Sequence, residues 1–589
     1  MTVSDGDNKL ATGGSWLSAW FITLAMASVA VFLLPASFNV ADDVGAQMIL
    51  AGLDGFSPAA EVPFHSQVLN STIYGLYQLQ PSIPWYGLLV LLTTMIGVSL
   101  FVRLLLDRAQ PAAVRGFCLP PFAVLLGHCL YSMTFTSAAL LCQLGVFLSL
   151  LVLPDHQLRR RSCQLLLLAL LLLAFLWRWQ LCCYVLLLLV PVVMVRPKRL
   201  RLALVFAATA LLLVACDRGL HRLTSPDLAG SDYPQFYQLR ARFHDRPEGR
   251  EAAETAITAA GWTREDYRIF RELWVIHDDQ KFNIPALTTF LEANQAARPS
   301  LPRRILSGLQ QSFRENTMSL RIILPTLLGL CFWHWGSGSW RLCRRRRMTI
   351  LALLAATAPL LFLAYFRLVP RVAIPLLLYL VCLLAILPRM DSEPTPVRRW
   401  SRPGLALLAV LVLLSAGFAV KMLLVEIPQQ KQGQRQLERV SEGLLQLNFK
   451  HELALGHGNP ILLRLNTGAG LRHAAMHPLS VPTGFKRVRI IPSGWQTGSP
   501  RYQEILDKLG ADSGRDLLHR AVDNNEIYFV QYVEDAALAE KTLLLWTSYY
   551  KRNLKREVTF DRVLGEAGRE GLSVYRLRSG EIADPEPSR

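Results

Sequence analysis

Two adjacent carboxylates, Asp42-Asp43, follow the first long apolar run of the chain. Acids at the mouth of a membrane span are costly against lipid, so they are expected to face water or a cavity. There they can accept a proton, orient an acceptor hydroxyl or ligate a divalent cation through oxygen. The simpler reading is a cap, in which an Asp stabilises the start of the next short helix.

Cations stand at turns on the same expected face. Arg178 lies in Trp177-Arg178-Trp179-Gln180. A guanidinium there can bind phosphate bidentately, with the tryptophans holding it at headgroup depth. Snorkelling to lipid headgroups is the alternative. Arg367 and Arg371 flank a second turn, Arg367-Leu368-Val369-Pro370-Arg371, with Pro375 following. Cations that neutralise a membrane-embedded phosphate, beside acids that act on a hydroxyl, suggest a polyprenyl-phosphate site. Glu61 and His65 could join the acids, although loop residues of these types are ordinarily just solvated. The run His277-Asp278-Asp279 has nothing to fix a metal geometry, so no metal site is assigned, and a divalent cation stays compatible with the Asp pair alone. His128 and His334 read as packed or hydrogen-bonded histidines rather than proton relays. Asn70-Ser71-Thr72 matches a glycosylation acceptor, a pattern frequent by chance. The chain has no phosphate-cradling P-loop and no GxSxG elbow.

The elements that must position these residues are membrane spans. The chain has 589 residues, 52% hydrophobic, with a mean hydropathy of +0.29. A bilayer core about 30 Å thick needs roughly 20 apolar residues of helix. Such runs occur at 16–36, 85–106, 117–134, 136–153, 164–179, 181–195, 202–216, 319–336, 348–366, 369–388 and 404–424. They predict about eleven spans, with tight hairpins at 117–153 and 164–195. The net charge of +18 comes largely from arginines in short loops on one side, such as Arg159 to Arg161 and Arg344 to Arg347. The loop 37–84 has no Lys or Arg and carries Asp42, Asp43, Asp54 and Glu61. That asymmetry is topology rather than nucleic-acid binding, and it puts the N-terminus inside and the C-terminus outside. The first run is read as an uncleaved span, and all ten cysteines fall in spans or at their inner edges.

Four domains are expected: a seven-helix membrane module at 1–216, a helical outer domain at 217–318, a four-helix module at 319–424 and an outer α/β domain at 425–589. In the first outer loop, Val44 to Leu53 is expected to lie in the interface as an amphipathic helix. In the second outer segment Thr263 caps a helix, and Tyr267, Phe270 and Trp274 share one face. In the last, strand-like runs at 459–466, 486–491, 526–533 and 572–577 alternate with helical patterns at 499–510, 514–523 and 535–552.

The acidic pair after span one, the seven-span module, the large outer loop and the segment Pro370-Arg371-Val372-Ala373-Ile374-Pro375 together resemble the GT-C superfamily of polytopic glycosyltransferases. That superfamily includes the protein O-mannosyltransferases and the aminoarabinose transferase. Val372 stands where the superfamily usually has Tyr. Many members also carry a second acid between spans three and four, where this chain reads Tyr131-Ser132-Met133-Thr134-Phe135-Thr136-Ser137. The departure favours a metal-independent route. The resemblance implies a polytopic α-helical, GT-C-like enzyme of a bacterial inner membrane. It would move a sugar from a polyprenyl-phosphate donor to a lipid, glycan or protein acceptor on the periplasmic face. Asp42 or Asp43 would be the general base, with Arg178, Arg367 and Arg371 on the carrier phosphate. An O-antigen-type polymerase or ligase, and a non-enzymatic envelope-glycan transporter or scaffold, are the competing readings.

Overall fold

In lipid, a backbone must satisfy its own N–H and C=O groups, so long apolar runs become helices. The computed structural model describes residues 5–106, 112–190, 193, 197–224, 231–245, 252–273, 277–296, 301–336, 368–386, 402–455, 459–465, 476–480, 483–492, 494–533, 536–565 and 571–580. Among these are six helical stretches long and apolar enough to cross a membrane: Trp16–Leu33, Trp85–Leu106, Phe135–Val152, Arg161–Leu188, Leu200–Leu223 and Ala409–Leu455. Three shorter apolar helices, Pro121–Tyr131, Thr317–Cys331 and Pro370–Ala385, accompany them. The expected span 348–366, Arg367, Trp274 and Arg344 to Arg347 lie outside the described residues.

The first part of the chain runs α1 (Asp5–Ser28), β1 (Ser37–Phe38), α2 (Ala41–Ala51), α3 (Gln67–Leu79), α4 (Trp85–Leu106), α5 (Ala112–Tyr131), β2 (Ser132–Met133), α6 (Phe135–Val152), α7 (Asp155–Leu158), α8 (Arg161–Val185) and α9 (Leu200–Thr224). The hub is α6, buried from Phe135 to Leu151 and packed on α4 and α8.

Helix α8 is not a straight rod. Arg178 breaks it with φ −153° and ψ 64°. Cys182 Sγ lies 3.4 Å from the Ala174 carbonyl oxygen, whereas residues eight apart in a straight helix are separated by about 12 Å. Beyond the break the chain returns to its starting end, where Arg199 bonds the carbonyls of Leu150 and Leu153 and pairs with Asp155 at 2.7 Å. The run therefore doubles back at Arg178.

Next come α10 (Tyr233–Asp245), α11 (Glu254–Ala259), α12 (Arg264–Arg268), α13 (Ile284–Ala296), α14 (Leu301–Glu315), α15 (Thr317–Gly336), α16 (Pro370–Ile386) and α17 (Arg402–Leu455). Thr263 caps α12 through a reciprocal bond with Asp266. Helix α17 has 54 residues, a length of about 80 Å. Its first half exposes Val410, Leu413, Val420 and Leu424, as a lipid-facing surface would. Its second half turns Leu437, Val440, Leu444 and Leu447 inward at helical spacing.

The chain closes with β3 (Ile461–Arg464), β4 (Arg489–Ile490), α18 (Pro500–Lys508), α19 (Gly514–Arg520), β5 (Ile527–Val533), α20 (Ala536–Tyr549), β6 (Val558–Leu564) and β7 (Gly571–Ser579). The five strands form one mixed sheet in the order β4-β3-β5-β7-β6, parallel across β4-β3-β5 and antiparallel across β5-β7-β6. Alternate residues face opposite ways along a strand. Ile461, Leu463, Phe529 and Tyr575 enter a core shared with Phe243, Trp262, Phe270 and Phe290. Leu462, Tyr528, Val530 and Val574 enter the core that holds α17 and the bundle. Both faces are covered, which is why β3 reads as a continuous apolar run. The described residues of 236–291 and 461–577 thus build one packed unit, termed outer after the side expected for it.

Two glycines let that unit sit on the bundle. A Cβ on Gly87 would lie 1.8 Å from the Pro478 carbonyl oxygen. One on Gly55, whose φ is +81°, would lie 2.0 Å from that of Val488. Helix α2 is also held between the two layers. Val44, Ala46, Ile49 and Leu50 are buried, so this helix packs inside the protein rather than in the lipid interface as its composition suggests.

Candidate active site

The short pairing of β1 with β2 fixes where α2 begins. Ser37 and Phe38 run parallel to Ser132 and Met133, and Asn39 N–H donates to the Met133 carbonyl at 3.1 Å. This sets the first turn of α2 against the N-terminus of α6 and separates the two acids. Asp43 points inward and is fully buried. Its Oδ1 accepts from the Tyr86 hydroxyl at 3.0 Å and from the Phe135 N–H, also at 3.0 Å. Phe135 is the first residue of α6, so the carboxylate meets the positive end of that helix. Asp43 thus accepts the first N–H of α6, whose cap is Thr134, while it stands in the first turn of α2, where an acid suits the helix dipole. Oδ2 of Asp43 is buried with no hydrogen-bond partner among the described residues. Burial pushes its pKa up to about 7 against these two bonds.

Asp42 points the other way, into a cavity of about 840 Å³ between the bundle end and the outer unit. Its Oδ2 lies 3.9 Å from Nη2 of Arg371. Arg371 is in the first turn of α16, behind Pro370, which suits the first helical position. The Ser137 hydroxyl holds its carbonyl at 2.9 Å, tying α16 to α6. A cation in the first turn opposes the helix dipole, so the placement calls for nearby anions.

Arg178 lines the same cavity. Its guanidinium carbon lies 5.1 Å from the ring centre of Phe64 and 5.3 Å from that of Phe135. The flanking tryptophans do not hold it at headgroup depth. Trp177 is buried in the bundle, donating to Thr93 Oγ1 at 2.9 Å, and Trp179 stacks with Arg218 at 4.2 Å. The doubling back of α8 aims Arg178 at the cavity and not at lipid.

The structure brings together Asp42, Arg178 and Arg371. It does not bring Glu61 or His65 to the cavity wall. His65 is packed edge-on against Phe135 at 4.8 Å and Trp177 at 5.3 Å, with Nδ1 3.2 Å from Asn70 Oδ1. Burial pushes its pKa down to about 3, so it is a neutral spacer behind Asp43. Asn70 is itself buried and donates to the Val62 carbonyl at 2.8 Å, which rules out its use as a glycan acceptor in the fold. His277, Asp278 and Asp279 form a strut inside the outer unit. Asp278 accepts from the Tyr549 hydroxyl at 2.6 Å and Asp279 from the Gly514 N–H at 3.2 Å. Among the described residues no three His, Cys, Asp or Glu side chains cluster as a metal site. With Asp43 turned away from Asp42, the donor set does not fit a protein-held divalent cation.

Other cavity residues carried little signal in the sequence. His128 Nδ1 lies 2.9 Å from Oε2 of Glu426, which also accepts from the Tyr131 hydroxyl. Glu426 is the only acid between Arg402 and Leu437, and that isolation was the available clue. It stands beside the turn Tyr131 to Ser137, which carries no acid of its own. Asp54 is locked to Arg501 at 2.9 Å. Arg464 interrupts the apolar run of β3, a clue of the same kind. Arg240 has no distinguishing sequence context.

The chain is similar in structure to ArnT from Cupriavidus metallidurans. Against the apo state the TM-score is 0.40 at 12% identity, covering 96% of this chain and 98% of that one. Against ArnT bound to undecaprenyl phosphate it is 0.36 at 11% identity, covering 95% and 97%. No family model and no curated protein matches the chain. A likeness of that size assigns no reaction, and the chemistry of the site rests on its own residues.

Proposed function

We propose that this chain is a membrane glycosyltransferase that uses a polyprenyl-phosphate-linked sugar and works on the periplasmic face of a bacterial inner membrane. The N-terminus would be cytoplasmic and the outer unit periplasmic. The observation that carries the reading is the division of the acid pair: Asp42 faces the cavity beside Arg371, while Asp43 is buried and bonded beneath it.

Asp42 is the general base. Its carboxylate takes the proton of the acceptor hydroxyl as that oxygen bonds to the anomeric carbon. The bond from this carbon to the carrier phosphate oxygen breaks, and the polyprenyl phosphate leaves with the bonding pair. An in-line displacement of this kind inverts the anomeric configuration. Arg178 and Arg371 hold the departing phosphate and stabilise its growing charge. Asp43 is a positioning residue that fixes the first turn of α2. The charge asymmetry supports the orientation, because Arg199 bonds the Leu150 and Leu153 carbonyls, at the end of α6 opposite the Phe135 N–H that meets Asp43.

The test is donor consumption by protein in nanodiscs, using a panel of polyprenyl-phosphate sugars with cell-envelope extract as the acceptor source. Asp42→Asn should bind donor and fail to consume it. Consumption at the wild-type rate would remove Asp42 from the mechanism.

A further inference from the structure

Three guanidinium groups of the cavity wall, Arg240, Arg314 and Arg464, are not used by the reaction described above. Arg240 lies in α10 and Arg464 ends β3, so both belong to the outer unit, and both line the cavity. Arg240 is only 5% exposed. Its Nε and Nη1 atoms are buried with no hydrogen-bond partner among the described residues. Its nearest aromatic support is Tyr237, at 5.4 Å. Arg464 is half-buried at the end of β3, and its guanidinium shows no hydrogen bond or ion pair among the described residues. Asp54, the carboxylate whose field it feels, is held by Arg501 at 2.9 Å. Burial pushes the Arg464 pKa down only to about 10, so it stays charged at neutral pH.

A buried guanidinium without partners, as at Arg240, is costly, and a fold keeps it where an anion arrives to pair with it. The carrier phosphate does not fit that role. Its lipid tail keeps it at the bundle end, where Arg178 and Arg371 sit on membrane helices. Arg240 and Arg464 belong instead to the water-facing unit.

We propose that Arg240 and Arg464 form an anion subsite that takes a phosphate or carboxylate group of the acceptor, separate from the carrier site. This deepens the transferase reading and rests on it.

The test uses full-length protein in nanodiscs, with thermal unfolding as the readout and inorganic phosphate and acetate as probes. Wild type saturated with polyprenyl phosphate should be stabilised further by one of the probes. Arg240→Met and Arg464→Met should unfold at higher temperature than wild type without ligand. They should weaken the probe response about 10- to 100-fold and keep the polyprenyl-phosphate response. If the Met variants do not fold, Arg240→Lys and Arg464→Lys should still weaken the probe response several-fold, because the planar fork is lost. Three results overturn the proposal: no response of wild type to either probe at millimolar concentration, competition between probe and polyprenyl phosphate, or variants with an unchanged response. Failure of the parent reading is distinct, since polyprenyl phosphate would then stabilise nothing while the small-anion response survived.

Discussion

Asp42 Oδ2 and Arg371 Nη2 stand 3.9 Å apart, which sets the first loop against the N-terminus of a helix from the far half of the chain. The separation is too long for a hydrogen bond and short enough for the charges to act on each other. A phosphate can bind Arg371 there without displacing Asp42.

Replacing Asp42 by Asn removes the base and keeps the shape. Turnover should fall about 10²- to 10⁴-fold, while donor affinity changes little, because the carboxylate repels phosphate rather than binding it. Steady-state rates together with a donor titration check both halves of this expectation. A parallel loss of affinity would mean that Asp42 binds and does not catalyse.

Asp43 makes a pH prediction of fixed sign. Its folded pKa is raised from 3.8 to about 7, so between these values the folded state binds more protons than the unfolded one. Its contribution to stability is therefore greatest at low pH and declines as pH rises from about 4 to about 7. Asp43→Asn should match wild type near pH 4 and exceed it near pH 8. Thermal unfolding across that range decides it, and a wild-type advantage that grows with pH contradicts the burial argument.

Much of this arrangement was legible in the sequence. The acid pair, Arg178 and Arg371, and the alternation of strands with helices in the last domain were visible because charge at the ends of apolar runs and short apolar runs between helical patterns are local signals. The different fates of Asp42 and Asp43 were not, since they depend on a parallel pairing with Ser132 and Met133 far along the chain. The second half of α17 was missed for a different reason. Pro428 and Gly433 read as breakers, and most of that stretch is polar. Packing of Leu437, Val440, Leu444 and Leu447 overrides those local preferences. His65 was grouped with the acids by its place in the loop, and burial among aromatic rings removes it from the site.

Arg178→Lys keeps the charge and loses the planar group seated between Phe64 and Phe135. Polyprenyl-phosphate affinity should fall by about 1–2 kcal/mol, with the fold intact by thermal unfolding. An unchanged affinity would take Arg178 out of the carrier site.

Glu426→Ala strands the His128 side chain at the cavity wall and the buried Tyr131 hydroxyl behind it. Stability should fall by about 1–3 kcal/mol, and His128→Ala in the Glu426→Ala background should cost less than it does alone. A double-mutant cycle measures that coupling, and additive losses would show the contact to be weak.

The most direct measurement is a polyprenyl-phosphate titration of nanodisc-embedded protein, followed by thermal unfolding, for wild type, Asp42→Asn and Arg371→Gln. The carrier should stabilise wild type and Asp42→Asn and leave Arg371→Gln unmoved. Equal stabilisation of all three, or of none, would contradict a carrier phosphate held at Arg371 beside the Asp42 base.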